Sequence, residues 1–109
     1  ENFKFRDGSE TDMLKVYILF EQPGINRIFA ELLLSRGFEP HIAYDLDDIE
    51  PDVRVISEPT YFVQMTRDCQ QRCLVVGEES AIEHLAPLCL TQPLTEAKVE
   101  AALEELSRL

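Results

Sequence analysis

Side chains able to do chemistry are few and scattered along these 109 residues. Cys69 and Cys73 stand four apart, at the spacing of adjacent helical turns. No histidine lies near them, so a metal site is not expected there. With Cys89 they make an odd number of thiols in apolar surroundings, which suits inert buried groups in a reducing compartment. Ser57 would need a neighbouring base to act as a nucleophile. His41 lies in a preceding strand and His84 in a distant short helix, so neither serves, and Ser57 reads as a strand-end residue bonded to nearby backbone. Carboxylates are the abundant groups: Glu21 follows an apolar run, and Asp45, Asp47, Asp48 and Glu50 form a brief acidic stretch read as a solvated loop. No catalytic residue, metal ligand or cofactor is expected.

Charge narrows the function further. Ten Lys and Arg against 21 Asp and Glu give a formal net charge of −11, which repels nucleic-acid backbones and anionic membrane surfaces. Apolar runs reach only four to six residues, far below the roughly 20 needed to span a bilayer. The chain therefore reads as cytoplasmic, or as the cytoplasmic part of a membrane-anchored protein, without direct membrane insertion.

The elements that must position these groups alternate. Residues 1–12 are polar and read as a linker or tether, and 13–109 as one α/β domain. Leu14 to Phe20, Phe38 to Tyr44, Val53 to Ile56, Cys73 to Val76 and Leu88 to Leu90 read as strands. Helices fall between them. Ile25, Ile28, Phe29, Leu32 and Arg36 share the inward side of the first, which Gly37 ends. Thr60 to Gln70 reads as a single helix with Thr60 at its cap, Ser80 to Ala86 as a short one, and Thr95 caps a last helix whose apolar face is Val99, Ala102, Leu103 and Leu106. Only Asp45 to Pro51, at most one helical turn, separates strands two and three. Right-handed crossovers then give a flavodoxin-like, five-stranded parallel sheet of order 2-1-3-4-5, with helices on both faces and the second helix shortened or absent.

Three segments carry a family resemblance. Ile18-Leu19-Phe20-Glu21-Gln22-Pro23-Gly24-Ile25-Asn26-Arg27, then Leu32 to Pro40, and finally Leu90-Thr91-Gln92-Pro93 resemble a response-regulator receiver domain of the CheY-like type. The resemblance implies an acidic pair that binds Mg²⁺ after the first strand, and a phosphoaccepting aspartate ending the third. It also implies a hydroxyl ending the fourth strand and a lysine ending the fifth. Glu21 and Gln22 stand at the acidic pair, Ser57 at the acceptor, Gly77 at the hydroxyl and Gln92 at the lysine. Cys89 stands where an aromatic residue is usual. A shift of one residue would offer Glu58 as acceptor, but its longer arm misplaces the carboxylate.

What this implies is a degenerate, non-phosphorylatable receiver, a pseudo-receiver of the kind found in hybrid sensor histidine kinases. It would serve as a protein-interaction or spacer module in two-component phosphorelay signalling. Its partners would be other domains of the same kinase or a phosphorelay protein. In the family the first helix docks on kinase helices, and Arg27, Ala30 and Leu34, opposite the inward stripe, are the expected contact patch. The alternative is a small-molecule-sensing domain using the vacated pocket, where Gly77 would open space.

Overall fold

A computed structural model describes residues 13–82, 85 and 88–109 of the chain. The proposed tether 1–12 and His84 lie outside the described residues. Five strands, β1 (Lys15–Leu19), β2 (Glu39–Ile42), β3 (Arg54–Ser57), β4 (Cys73–Glu78) and β5 (Cys89–Gln92), form one parallel sheet in the order β2-β1-β3-β4-β5. This is the expected topology. Helices α1 (Pro23–Ser35) and α5 (Glu96–Ser107) cover one face; α2 (Pro59–Phe62), α3 (Arg67–Gln70) and α4 (Glu79–Ile82) cover the other.

Strand alternation divides the core. Val16, Ile18, Ile56, Leu74 and Leu90 point toward α1 and α5, where Phe29, Leu33, Leu103 and Leu106 meet them. Tyr17, Leu19, Val55, Cys73 and Val75 point the other way, onto Phe62, Met65 and Ile82. A strand with both faces covered must be apolar throughout, hence the unbroken runs in the sequence. The edge strand β2 tolerates Pro40 because the amides of Glu39 and Ala43 donate inward to Leu14 and Ile18 carbonyls. The intervening position 40 points outward, where no ladder hydrogen bond is lost.

Termination of α1 follows from Gly37, whose φ of 85° suits a residue without Cβ. Phe38 N bonds Leu33 O at 2.9 Å and Gly37 N bonds Leu34 O at 3.2 Å, the paired bonds of a Schellman motif. The last helix is capped as expected, with Thr95 Oγ1 accepting from Lys98 N at 3.2 Å and Val99, Ala102, Leu103 and Leu106 buried. Its other end is held by Arg54, which donates to the carbonyls of Leu106 at 2.7 Å, Ser107 at 3.4 Å, and Leu109. A cation at a helix C-terminus also complements the helix dipole.

Three expectations are corrected. The inward side of α1 is Asn26, Phe29 and Leu33. At 100° per residue this stripe is turned roughly 70° from the anticipated one, leaving Ile28 57% exposed and Ala30 partly buried against the core. Asn26 causes the rotation, because its side chain bridges buried backbone. The helix expected over Thr60 to Gln70 is two helices. Thr66 Oγ1 accepts from Cys69 N at 3.2 Å, taking the amide that a continuous helix would direct at Met65 O. Thr60 is no cap, since α2 begins at Pro59. The second connection, as expected, holds a single 3₁₀ turn, Leu46–Asp48, capped by Asp45. The fourth helix spans Glu79–Ile82; the rest of the expected Ser80 to Ala86 segment is only partly described.

Candidate functional site

Parallel α/β sheets present ligands at the carboxyl ends of their strands, and here β1, β3, β4 and β5 bring together the residues that the sequence singled out. Leu19 pairs with Ser57, Ser57 with Val75, Gly77 with Thr91 and Glu78 with Gln92. Glu21 and Gln22 follow β1 and are exposed. Gln22 is the N-cap residue of α1, and its carbonyl accepts from Ile25 N and Asn26 N. Gln92 ends β5, exposed, and is joined to Pro93 by a cis peptide bond.

Ser57 faces inward. It is 0% exposed, and its hydroxyl donates to Leu19 O across the strand pair at 2.6 Å. Gly77 lines the crevice at the strand ends, though the position its missing Cβ would take is closely bounded. A Cβ there would stand 3.2 Å from Ile82 Cγ2 and 3.4 Å from Pro59 Cγ, so neighbouring side chains already occupy the volume beside it. Distant residues supply that packing, which the local sequence does not reveal.

Two further residues shape the site. Asn26 is buried in α1 and accepts from Phe20 N at 2.9 Å while donating to Phe20 O at 3.1 Å. It thereby satisfies both backbone groups of the residue leaving β1. A polar residue inside an otherwise apolar helical stripe was the available signal. Glu58, set aside in the sequence, ties β3 to β1, its Oε2 accepting from Glu21 N at 2.6 Å. A backbone amide partner cannot be read from residue types.

Between these groups and α1 lies a crevice of about 340 Å³, walled chiefly by Phe20, Ile25, Ile28, Pro59 and Leu94, with Glu58, Glu78 and Gln92 supplying polar groups. Its described lining contains no Lys, Arg or His. Lys98 is the cation nearest in sequence to the end of β5. Its ammonium bonds Thr91 O, Thr91 Oγ1 and Pro93 O at 3.3–3.4 Å and lines a different hollow, beside α5. Among the described residues, no group of three or more His, Cys, Asp or Glu side chains is placed to hold a metal ion.

Elsewhere, burial pushes the Cys73 thiol far above its ordinary value and raises Cys69 as well, which makes both poor nucleophiles. His41 sits on β2 with Nε2 2.5 Å from Glu39 Oε2 and its ring 5.6 Å from Tyr17. Tyr17 donates to Glu50 Oε2 at 2.8 Å, and Lys15 lies 3.3 Å from the same oxygen. The hydrogen bond to Glu50 raises the Tyr17 pKa; the bonds from Tyr17 and Lys15 lower that of Glu50. Asp48 and Asp45 are used internally, capping the 3₁₀ turn.

Comparison with solved structures identifies the architecture. The chain superposes on the chemotaxis response regulator CheY4 of Vibrio cholerae with a TM-score of 0.65 at 17% identity, covering 86% of this chain and 98% of that one. The fold is that of a CheY-like receiver domain. A signal receiver domain of an HD domain-containing protein from Pseudomonas fluorescens Pf-5 gives 0.66 at 16% identity, covering 95% and 93%. FixJ-N gives 0.63 at 16%, covering 89% and 95%. No family model matches the sequence, and no curated protein does. Within this receiver fold, Arg27 and Leu34 lie exposed on α1, Leu34 at 58%, whereas Ala30 packs partly inward. Ile28, not Ala30, completes the exposed apolar surface of the helix. No helix among the described residues is long and apolar enough to cross a membrane.

Proposed function

We propose that this chain is a receiver-like domain of two-component signalling that accepts no phosphoryl group. It acts by binding, as an interaction or spacing module beside other domains of a sensor kinase or a phosphorelay protein. The observation that carries this reading is Ser57, fully buried with its hydroxyl committed to Leu19 O. Transfer to a serine requires an exposed oxygen and a base. Among the described residues, neither accompanies Ser57. A phosphoryl dianion also needs cationic neutralisation, and the crevice offers carboxylates instead. The volume beside Gly77, at the hydroxyl position, is filled by Ile82 and Pro59.

Incubation with a small phosphodonor and Mg²⁺, followed by intact-mass measurement, should yield no stable phosphoryl adduct; labelling at Ser57 or Glu58 would defeat the reading. The binding role rests on α1. Glutamate at Ile28 and Leu34, both exposed and outside the main core, should leave folding intact and impair signalling by the protein that carries the domain. Unchanged output from a folded double variant would count against docking through this helix.

A further inference from the structure

The crevice at the strand ends differs in chemistry from the anion site that the family resemblance implies. Its walls are apolar, Ile28 and Leu94 stand partly exposed over it at 57% and 41%, and its charged groups, Glu58 and Glu78, are both acidic. Among the described residues, no ion pair reaches either carboxylate. Glu58 is held in place. Glu21 N donates to its Oε2 at 2.6 Å, while Oε1 accepts no hydrogen bond from a described residue. A fixed, half-buried carboxylate without a neighbouring cation beside apolar surface has the electrostatics of a cation receptor. A volume of about 340 Å³ lies at the small end of the range for small-molecule pockets.

We infer that this crevice binds a small organic cation, with an ammonium head against Glu58 Oε1 and an apolar body across Ile25, Ile28, Pro59 and Leu94. Gln92, where the receiver resemblance implies a lysine, is required by this chemistry to be uncharged, since an ammonium there would compete for the carboxylates. The side-chain amide of Gln92 can instead accept from the ligand head. Charge selects the occupant. Among the described lining residues, an anion of the same shape meets two carboxylates and no cation, whereas a cation meets a carboxylate already oriented by backbone. This inference goes beyond the interaction role but shares the crevice carboxylates and Ile28 with it; labelling at Ser57 would defeat only the proposed function, whereas labelling at Glu58 would count against both.

The test is a ¹H–¹⁵N NMR titration of the full chain with phenethylammonium, using phenylacetate as the matched anion. Saturable shifts are expected at the amides of Phe20, Gly77, Glu78 and Leu94 with the amine, and none with the acid. Glu58→Gln keeps an oxygen acceptor for Glu21 N and removes the charge; amine affinity should fall about tenfold or more, the scale of losing a hydrogen bond to a charged partner. If that variant does not fold, Glu78→Gln at an exposed position supplies the same test, with a weakening of about two- to fivefold. Absence of saturable shifts would overturn the proposal. So would equal binding of phenylacetate, undiminished affinity in a folded carboxamide variant, or shifts centred on Asp45 to Glu50 or on α5.

Discussion

Replacing Ser57 by aspartate restores the side chain that the receiver resemblance implies at the end of β3, and the structure predicts that the result is an unstable protein and not a phosphoacceptor. The native hydroxyl is buried and donates to Leu19 O at 2.6 Å. Ser57→Ala removes that donor and leaves a carbonyl less well satisfied, at a cost of about 1–2 kcal/mol. Ser57→Asp also removes the donor and directs a carboxylate at the same carbonyl oxygen. Among the described residues no cation bonds to Ser57 to compensate, so a loss of about 3–5 kcal/mol is expected at pH 7, the scale of an unpaired buried charge. Domains of this kind have only about 5–15 kcal/mol in total.

Urea unfolding measures the difference directly. With a slope of about 1.5 kcal/mol/M, the alanine variant should lose about 1 M in midpoint and the aspartate variant about 2–3 M. Acidity separates charge from size. Burial raises the folded-state pKa of the new carboxyl above its unfolded value of about 3.9. Its protonated form is therefore the one the fold accepts, and the deficit is smallest below that unfolded value and opens as pH rises through the folded-state pKa. A neutral carboxyl can also donate to Leu19 O. An aspartate variant as stable as the parent at pH 7, or one that becomes labelled by a small phosphodonor with Mg²⁺, would refute the account of this position.

Three other perturbations probe the supports of the site. Asn26→Ala strips both bonds from Phe20 backbone and should cost about 2–3 kcal/mol by urea unfolding, whereas Asn26→Asp should retain the bond from Phe20 N and lose only the other. Arg54→Ala frees the carbonyls at the end of α5; a loss of about 1–2 kcal/mol and faster amide exchange in that last turn are expected. Glu50→Gln tests pH dependence. The Glu50 pKa is lowered by its bonds to Tyr17 and Lys15, so the wild type gains stability from Glu50 above the unfolded carboxyl value and loses it as pH falls through the lowered one. The glutamine variant should show a shallower acid limb in thermal melts across that window.

The sheet was legible because strands covered on both faces leave an unmistakable apolar record, and β1 and β4 are buried nearly throughout. The last helix was legible for a similar reason: Thr95 and the Val99-to-Leu106 spacing specify a cap and a face within one segment. Failures occurred where a polar side chain overrode the apolar pattern. Asn26 turns α1 because its amide bridges Phe20 backbone, and Thr66 interrupts the helix because its hydroxyl competes for an amide. Both are short-range polar choices that a count of hydrophobic spacing cannot register. Gly77 lines the crevice, but how much room it leaves could not be read locally. Its surroundings come from Ile82 and Pro59, and a missing side chain signals space only where nothing else has moved in.

Glu58 links these observations. In the family resemblance, acidic groups and a metal organise the ends of β1 and β3; here a carboxylate bonded to Glu21 N spans the same two ends. That bond needs neither a metal nor a ligand to form. It also fixes the sign of the crevice. With Glu58 and Glu78 lining it and no described cation among them, a dianion entering would face repulsion of order 1 kcal/mol or more per carboxylate at contact, even with water-like screening, and more as the crevice dries. On the proposed reading, changing one residue alone is therefore not expected to confer phosphoryl transfer. An aspartate at 57 without a lysine at 92 adds to the negative charge, and a lysine at 92 without that aspartate would be drawn to Glu58 and Glu78. On the proposed reading, positions 57 and 92 and the two crevice carboxylates form one electrostatic set, so substitutions at them are expected to act together and not independently.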